Sequence, residues 1–236
     1  MQEIFIREGV LLGEQALIKL EKSHVCVVGL GGVGGWCAEA LARSGVGELT
    51  LIDSEDFSPS NINRQLGALH STLGHSKAEV TAQRLQDINP ALRLHAVKAL
   101  YCAETRSELL KGYDYVADCI DLVKHKTDLI ASCQSAEIPI ISALGTGNKL
   151  DASLLEITDI AKTRGCPFAR VMRKELRSLG IEHHRVVYSP EEPAPSLLES
   201  REAPPPGRRS IPGSLVWVPA AAGLLMAQEI VLNIAK

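Results

Sequence analysis

The run HVCVVGLGGVG, His24 to Gly34, constrains this chain more than any other feature. Its first half is apolar and β-branched, the composition of a buried strand. Its second half fits G-x-G-x-x-G, with Gly29, Gly31 and Gly34 at the motif positions and Gly32 as an extra glycine. VGGWCAEALARSGV follows with helical spacing, so the glycines stand between a strand and a helix, the context the motif requires. Such glycines let the backbone approach a phosphate, and the helix start offers N–H groups and a positive dipole end. A second strand, ELTLID, ends in Asp53, where an acid takes a ribose hydroxyl pair. Together these residues point to a bound nucleotide and leave its identity open.

The alternation continues beyond this unit. KAEVTAQRLQDINP (77–90) reads as a helix closed by Asn-Pro, LRLHAVKA as a third strand, and YDYVADCID (113–121) as a fourth strand ending in acids. A helix over 123–136 and a strand at 138–144 complete the run. The expectation is an α/β fold, a Rossmann-like and mostly parallel sheet flanked by helices. Residues 1–22 read as a helical arm with Leu12, Ala16, Leu17 and Leu20 on one side. Residues 23–145 read as the nucleotide-binding core. Residues 146–236 read as a C-terminal strand and helix extension for substrate or dimer contacts, all within one domain. Two features mark that last part. The segment 161–180 contains an amphipathic helix with Phe168, Val171, Met172, Leu176 and Leu179 on one face and Arg170, Arg173, Lys174 and Arg177 on another. Ser189 to Gly213 holds seven of the twelve prolines, which predicts a mobile loop.

The stretch SNINRQLGALHSTLGHSK, Ser60 to Lys77, decides between nucleotides. A dinucleotide pyrophosphate is satisfied mainly by backbone N–H groups, whereas a triphosphate about to be cleaved needs cations. Here Asn61, Asn63, Arg64 and Gln65 stand together and Lys77 follows. Asp121 is expected at the sheet edge where α/β ligands bind, and a carboxylate beside a triphosphate is explained by a magnesium ion between them. Singly, Arg64 reads as a surface charge, Lys77 as a first-turn helix residue and Asp121 as an N-cap. In combination they favour ATP over NAD.

Composition excludes some classes. The six cysteines form no C-x-x-C pair, which leaves out the usual four-cysteine zinc site. Charges throughout Met1 to Lys22 leave out a signal peptide, so reduced thiols and a cytoplasmic location are expected. No charge falls between Arg209 and Glu229, yet Pro212, Gly213, Pro219 and Gly223 interrupt that window, and no membrane span is expected. Leu215–Val218 reads instead as a buried strand leading into a helix with Pro219 in its first turn. The net charge of −3 hides a local excess: Ile160 to Ser210 carries ten basic residues against six acidic ones.

GLGGVG, Asp53, SNINRQ, GHSK and DCID together resemble the ThiF/MoeB-like superfamily of activating enzymes, related to the ubiquitin-activating enzymes. The resemblance implies activation of a carboxylate by ATP through an acyl-adenylate. By motif, Gly32 and Asp53 would hold the adenosine part, and Ser60, Asn61 and Asn63 would line the phosphate site. Arg64 and Lys77 would neutralise phosphates, and Asp121 would hold Mg2+. Arg7 matches an arginine that reaches across a homodimer to the partner's ATP. RxxxLLGEQAL, VGLGGVGGWCAEALARSGVGELTLID, TDIAKT (158–163) and CPFARVMRKELRSLGI (166–181) are most similar to the tRNA threonylcarbamoyladenosine dehydratase family. That similarity implies a tRNA substrate whose threonylcarbamoyl side chain is cyclised with loss of water. The basic helix face, with Arg208 and Arg209, would then meet tRNA phosphates. A sulfur-transfer protein is an open further partner. Cys166 reads as structural, and His183 and His184 receive no role. The competing readings are an adenylyltransferase acting on the Gly-Gly tail of a ubiquitin-like sulfur carrier, an NAD-dependent oxidoreductase, and a nucleotide-sensing scaffold. The oxidoreductase leaves Arg64, Lys77 and Asp121 without roles, and the full complement of phosphate-facing residues argues against the scaffold.

Overall fold

The structure is a computed structural model that describes residues 3–198 and 211–236. Seven strands form one sheet: β1 (His24–Val28), β2 (Glu48–Ile52), β3 (Arg93–Val97), β4 (Tyr115–Asp118), β5 (Ile140–Ala143), β6 (Glu156–Asp159) and β7 (Arg185–Tyr188). Their order is β3-β2-β1-β4-β5-β7-β6. All neighbouring pairs are parallel except β6 with β7. This is the Rossmann-like sheet that the strand and helix alternation predicts.

Strand residues alternate between two cores, as a period of two requires. Val25, Val27, Leu49, Leu51 and Ile141 face a core shared with α2 (Glu14–Lys22), α3 (Gly34–Arg43), α4 (Lys77–Ile88) and α8 (Trp217–Ile234). Cys26, Val28, Val116 and Ile140 face the other core, shared with α6 (Val123–Ser135) and α7 (Pro167–Ser178). The helix α5 (Arg106–Leu109) is a single turn before β4.

Helix α8 is long and apolar enough to cross a membrane by length and composition. Here it is a core helix, with Ala222, Met226 and Ile230 fully buried, packed on α3. Gly223 makes that packing possible, because a Cβ there would lie 2.9 Å from Cys37 N and 3.0 Å from Trp36 Cβ.

Several expectations are corrected. The arm is two helices, α1 (Ile6–Leu12) and α2, because Gly13 at φ +82° interrupts it. Leu215–Val218 is not a strand: the chain enters α8 at Trp217 without pairing to the sheet, and Pro219 does sit in the first turn. The fourth strand stops at Asp118, so Asp121 lies in the loop to α6. Strands β6 and β7 are too short and polar at their ends to stand out by pattern. On α7 the buried residues are Ala169, Met172 and Leu176, while Val171 and Leu179 are exposed. The expected mobile loop, 189–213, falls largely outside the described residues, and Arg208 and Arg209 lie there entirely.

Candidate functional site

The site is built at the C-terminal ends of β1, β2 and β4. Gly29 follows β1 at φ +90°, and a Cβ on it would stand 2.9 Å from Cys119 O, so only glycine lets the β1 turn pass the β4 turn. A Cβ on Gly34 would collide with Gly29 O, which is why α3 can start so close to the strand. The first turn of α3 closes with Gly35 N donating to Gly31 O at 3.2 Å. The start of that helix therefore carries the positive dipole end at the glycine loop.

Asp53 ties the loop to β2. Its Oδ2 accepts from Leu30 N at 2.6 Å and its Oδ1 accepts from Glu55 N at 2.8 Å. Burial raises its pKa, and those two N–H donors and the nearby Lys77 oppose the rise.

The Ser60–Lys77 segment folds back to β2. Phe57 N donates to His75 O at 3.0 Å, Gly74 N to Phe57 O at 2.9 Å, and Lys77 N to Glu55 O at 3.0 Å. This pairing brings Lys77, at the start of α4, beside the end of β2. Its ammonium is buried, 3% exposed, and meets Glu55 Oε2 at 2.6 Å. Arg64 lies over the glycine loop, with its Cγ 3.6 Å from a Cβ built on Gly32, and its Nη1 donates to Ser60 O at 2.7 Å and Asn63 Oδ1 at 2.9 Å. Gln65 is buried with its Nε2 3.7 Å from a Cβ built on Gly31. Its Oε1 has no hydrogen-bond partner among the described residues. An unsatisfied amide beside a side-chain-free backbone turn fits a polar ligand such as a nucleotide.

The remaining predicted residues divide by use. Asn61 is buried and its Oδ1 accepts from Ser58 N at 3.1 Å, so it shapes the turn. Asn63 Nδ2 donates to Ser214 O at 2.9 Å, joining this segment to the approach to α8. Ser60 is exposed, its Oγ 3.2 Å from Ser58 Oγ. Asp121 is exposed on the β4–α6 loop, two residues past the Cys119 carbonyl that touches Gly29. Arg7 is not brought to the site within one chain. Phe5 packs on Gly45, and Glu8 meets Ser44, at the far end of α3. The ten residues of α3 place that end about 15 Å from the glycine loop.

Beneath the loop lies a buried polar chain that periodicity does not reveal. Lys126 Nζ donates to Asp118 Oδ2 at 2.7 Å and Asp118 O at 3.2 Å. Ser142 Oγ donates to the same Oδ2 at 2.6 Å, and His184 Nε2 stands 2.7 Å from Ser142 Oγ. Asp118 Oδ1 accepts from Ile120 N at 3.1 Å, which sets the path of the backbone toward Asp121. Lys126, Asp118 and Ser142 are fully buried. The one hydroxyl proton of Ser142 goes to the carboxylate, so His184 donates from Nε2. Burial and the Lys126 charge push the His184 pKa down to about 3 from an ordinary 6.5. Between those values the unfolded chain binds a proton that the folded chain excludes, so stability falls as pH falls below about 6.5. The loss is about 1.4 kcal/mol per pH unit from this group. Urea unfolding midpoints from pH 7 to 4.5 should fall less steeply in His184→Gln, and parallel curves would contradict the assignment.

The basic face of α7 is partly used within the fold. Arg173 Nη1 donates to Thr163 O at 2.7 Å and to Thr163 Oγ1, while Arg170, Lys174 and Arg177 are exposed. Cys166 is buried against Gly145. His183 and His184 point apart, His183 toward Asp159 and His184 into the buried chain.

Comparison with known proteins extends this geometry. The ThiF family model matches residues 7–235. The chain is 39% identical over 240 residues to the tRNA threonylcarbamoyladenosine dehydratase of Bacillus subtilis, covering 98% of this chain and 94% of that one. It superposes on the E. coli tRNA threonylcarbamoyladenosine dehydratase solved with ATP with a TM-score of 0.87 at 35% identity, covering 98% and 93% of the two chains. Similarity to the molybdopterin-synthase adenylyltransferase of Salmonella typhimurium is 36% over 141 residues, 60% of this chain and 55% of that one. The chain therefore belongs to the ThiF family, within its tRNA threonylcarbamoyladenosine dehydratase branch.

Proposed function

We propose that this protein binds ATP at the glycine loop and uses it to activate the carboxylate of threonylcarbamoyladenosine in tRNA, which then cyclises with loss of water. The observation that carries the reading is the gathering of Arg64 and Lys77 at the glycine loop and the end of β2. Two cations suit a triphosphate under cleavage. The substrate's carboxylate oxygen attacks the α-phosphorus, and the bond to pyrophosphate breaks. An atom of the substrate's own carbamoyl group then attacks the acyl carbon, and AMP leaves as the ring closes. Arg64 and Lys77 stabilise the phosphate charge, and Gly32 and Asp53 hold the adenosine side.

Mg2+ fits the same place. Asp121 would hold it, an exposed carboxylate on the β4–α6 loop two residues past the Cys119 carbonyl that touches Gly29. With phosphate oxygens supplying other ligands, one carboxylate is the usual protein share. The ion would neutralise charge on the phosphates.

A homodimer with Arg7 acting in trans accounts for its distance from its own chain's loop. Support comes from the apolar face where the arm meets α8. Leu11 is more than four-fifths exposed, and Leu224 and Leu232 are also open beside it; Val10, its neighbour in α1, is as exposed. Arg170, Lys174 and Arg177 would contact tRNA phosphates. A cytoplasmic location agrees with six free cysteines. A sulfur-transfer protein partner rests on the family resemblance alone.

The adenylyltransferase reading has less support. The Salmonella enzyme covers the smaller share of this chain, and Cys166 is buried at 3% exposure. Mass spectrometry of nucleosides from threonylcarbamoyladenosine-containing tRNA, incubated with protein, ATP and Mg2+, separates the two. A nucleoside lighter by one water, formed only with ATP, is expected. An unchanged nucleoside with pyrophosphate exchange driven by a Gly-Gly-tailed carrier would establish the alternative.

A further inference from the structure

Lys149 is 2% exposed, and its Nζ has no hydrogen-bond partner among the described residues. Its backbone neighbours are all tied. Asn148, in the left-handed region at φ +56°, donates from N to Gly213 O at 2.7 Å and accepts at O from Ala194 N at 2.8 Å. Leu150 N donates to Glu191 Oε1 at 3.0 Å, and Leu150 O accepts from Trp217 Nε1 at 2.7 Å. The side chains on either hand differ: Leu150 is 58% exposed while Lys149 is turned inward. A buried ammonium with no anion beside it among the described residues is costly, and a fold that holds one in place so firmly has a use for it.

Its position suggests the use. The segment follows β5 at the same sheet edge as the glycine loop. Trp217, which holds Leu150, is the first residue of α8, and Pro219 in the same turn lies 3.2 Å from a Cβ built on Gly32. One helix start therefore touches both the nucleotide loop and the Lys149 segment. Arg64 and Lys77 approach from the β1–β2 side, whereas Lys149 comes from the β5 side. We propose that Lys149, with the dipole end of α8, binds the carboxylate that ATP activates and holds it for attack on the α-phosphorus. This inference rests on the ATP-dependent reading above. The carboxylate charge disappears when the mixed anhydride forms, so the contact is a ground-state one and shows in KM more than in kcat.

Lys149→Met keeps the buried stem and removes the charge. In the ligand-free protein it should leave Tm unchanged or raise it, the opposite of losing a structural contact. KM for the modified tRNA should rise about tenfold or more, the weight of one charge-assisted hydrogen bond, with KM for ATP unchanged. A second readout needs no turnover. N-carbamoylthreonine, a small carboxylate, should raise Tm saturably in the wild type and in Lys149→Arg, but not in Lys149→Met, while ATP stabilises all three. An equal response in all proteins, or none in the wild type, overturns the carboxylate pocket. A shift in KM for ATP alone assigns Lys149 to the nucleotide and overturns it too. If wild-type protein leaves the tRNA unchanged but binds the probe through Lys149, the pocket stands and the dehydratase reading falls. Normal turnover with unaltered Lys149→Met kinetics gives the reverse.

Discussion

Lys77→Ala is expected to lower ATP-dependent turnover by about 10²- to 10⁴-fold, the range for removing one charge aimed at a phosphate in the transition state. The fold should survive. Lys77 is buried at the start of α4, but its partner Glu55 is 71% exposed and returns to water when the ammonium is gone. The helix keeps its cap, since Ser76 Oγ accepts from Glu79 N. Arg64→Ala should behave alike, because its Nη1 donates to Ser60 O and Asn63 Oδ1, both within the same short exposed loop segment. Initial rates with saturating tRNA, beside thermal unfolding of each variant, make the check. Turnover within about threefold of wild type in either variant would remove that residue from the phosphate site.

Lys126→Met carries the largest expected effect on stability, a loss of about 3–5 kcal/mol. The pair it breaks has no access to water on either side, so the carboxylate of Asp118 would remain buried and charged with Ser142 and Ile120 N as its donors. A buried ion pair need not stabilise relative to an apolar one, and the cost comes from leaving one partner behind. The double variant Lys126→Met/Asp118→Val should therefore lose less than the sum of the single losses. Equilibrium urea unfolding of the three variants tests this. A single-variant loss under about 1 kcal/mol would show that water or another group compensates Asp118. The consequence reaches the β4–α6 loop, because Asp118 Oδ1 fixes Ile120 N one residue before Asp121.

Local sequence carried the nucleotide site because its chemistry is local. A strand, a glycine turn and a helix start lie within His24 to Arg43, and their steric demands are written in the glycines themselves, as the Gly29 and Gly34 contacts show. The parallel sheet followed from alternating elements, whose periods are properties of short windows. Arg64 and Lys77 stood out by residue type, and the return of 74–77 onto 55–57 brings Lys77 to the end of β2 while Arg64 lies over the glycine loop.

Other features had no such signal. The face of α7 was misjudged because Val171 and Leu179 satisfy helical spacing equally well exposed or buried, and only the position of the sheet decides. Leu215 and Val216 are apolar enough for a strand, but α8 starts at Trp217 and the pair joins none of the seven strands. Glu55 became visible only through Lys77.

What this sequence determined by itself is the class of fold, the glycine turn between strand and helix, and the family, each encoded by neighbours in the chain. The tertiary structure alone decided that Lys126, Asp118, Ser142 and His184 form one buried chain, that Arg7 stands away from the glycine loop of its own chain, and that Lys149 is buried. Those facts depend on which residues distant in sequence meet in a low-dielectric interior, where desolvation and partner geometry, not residue type, set the energy.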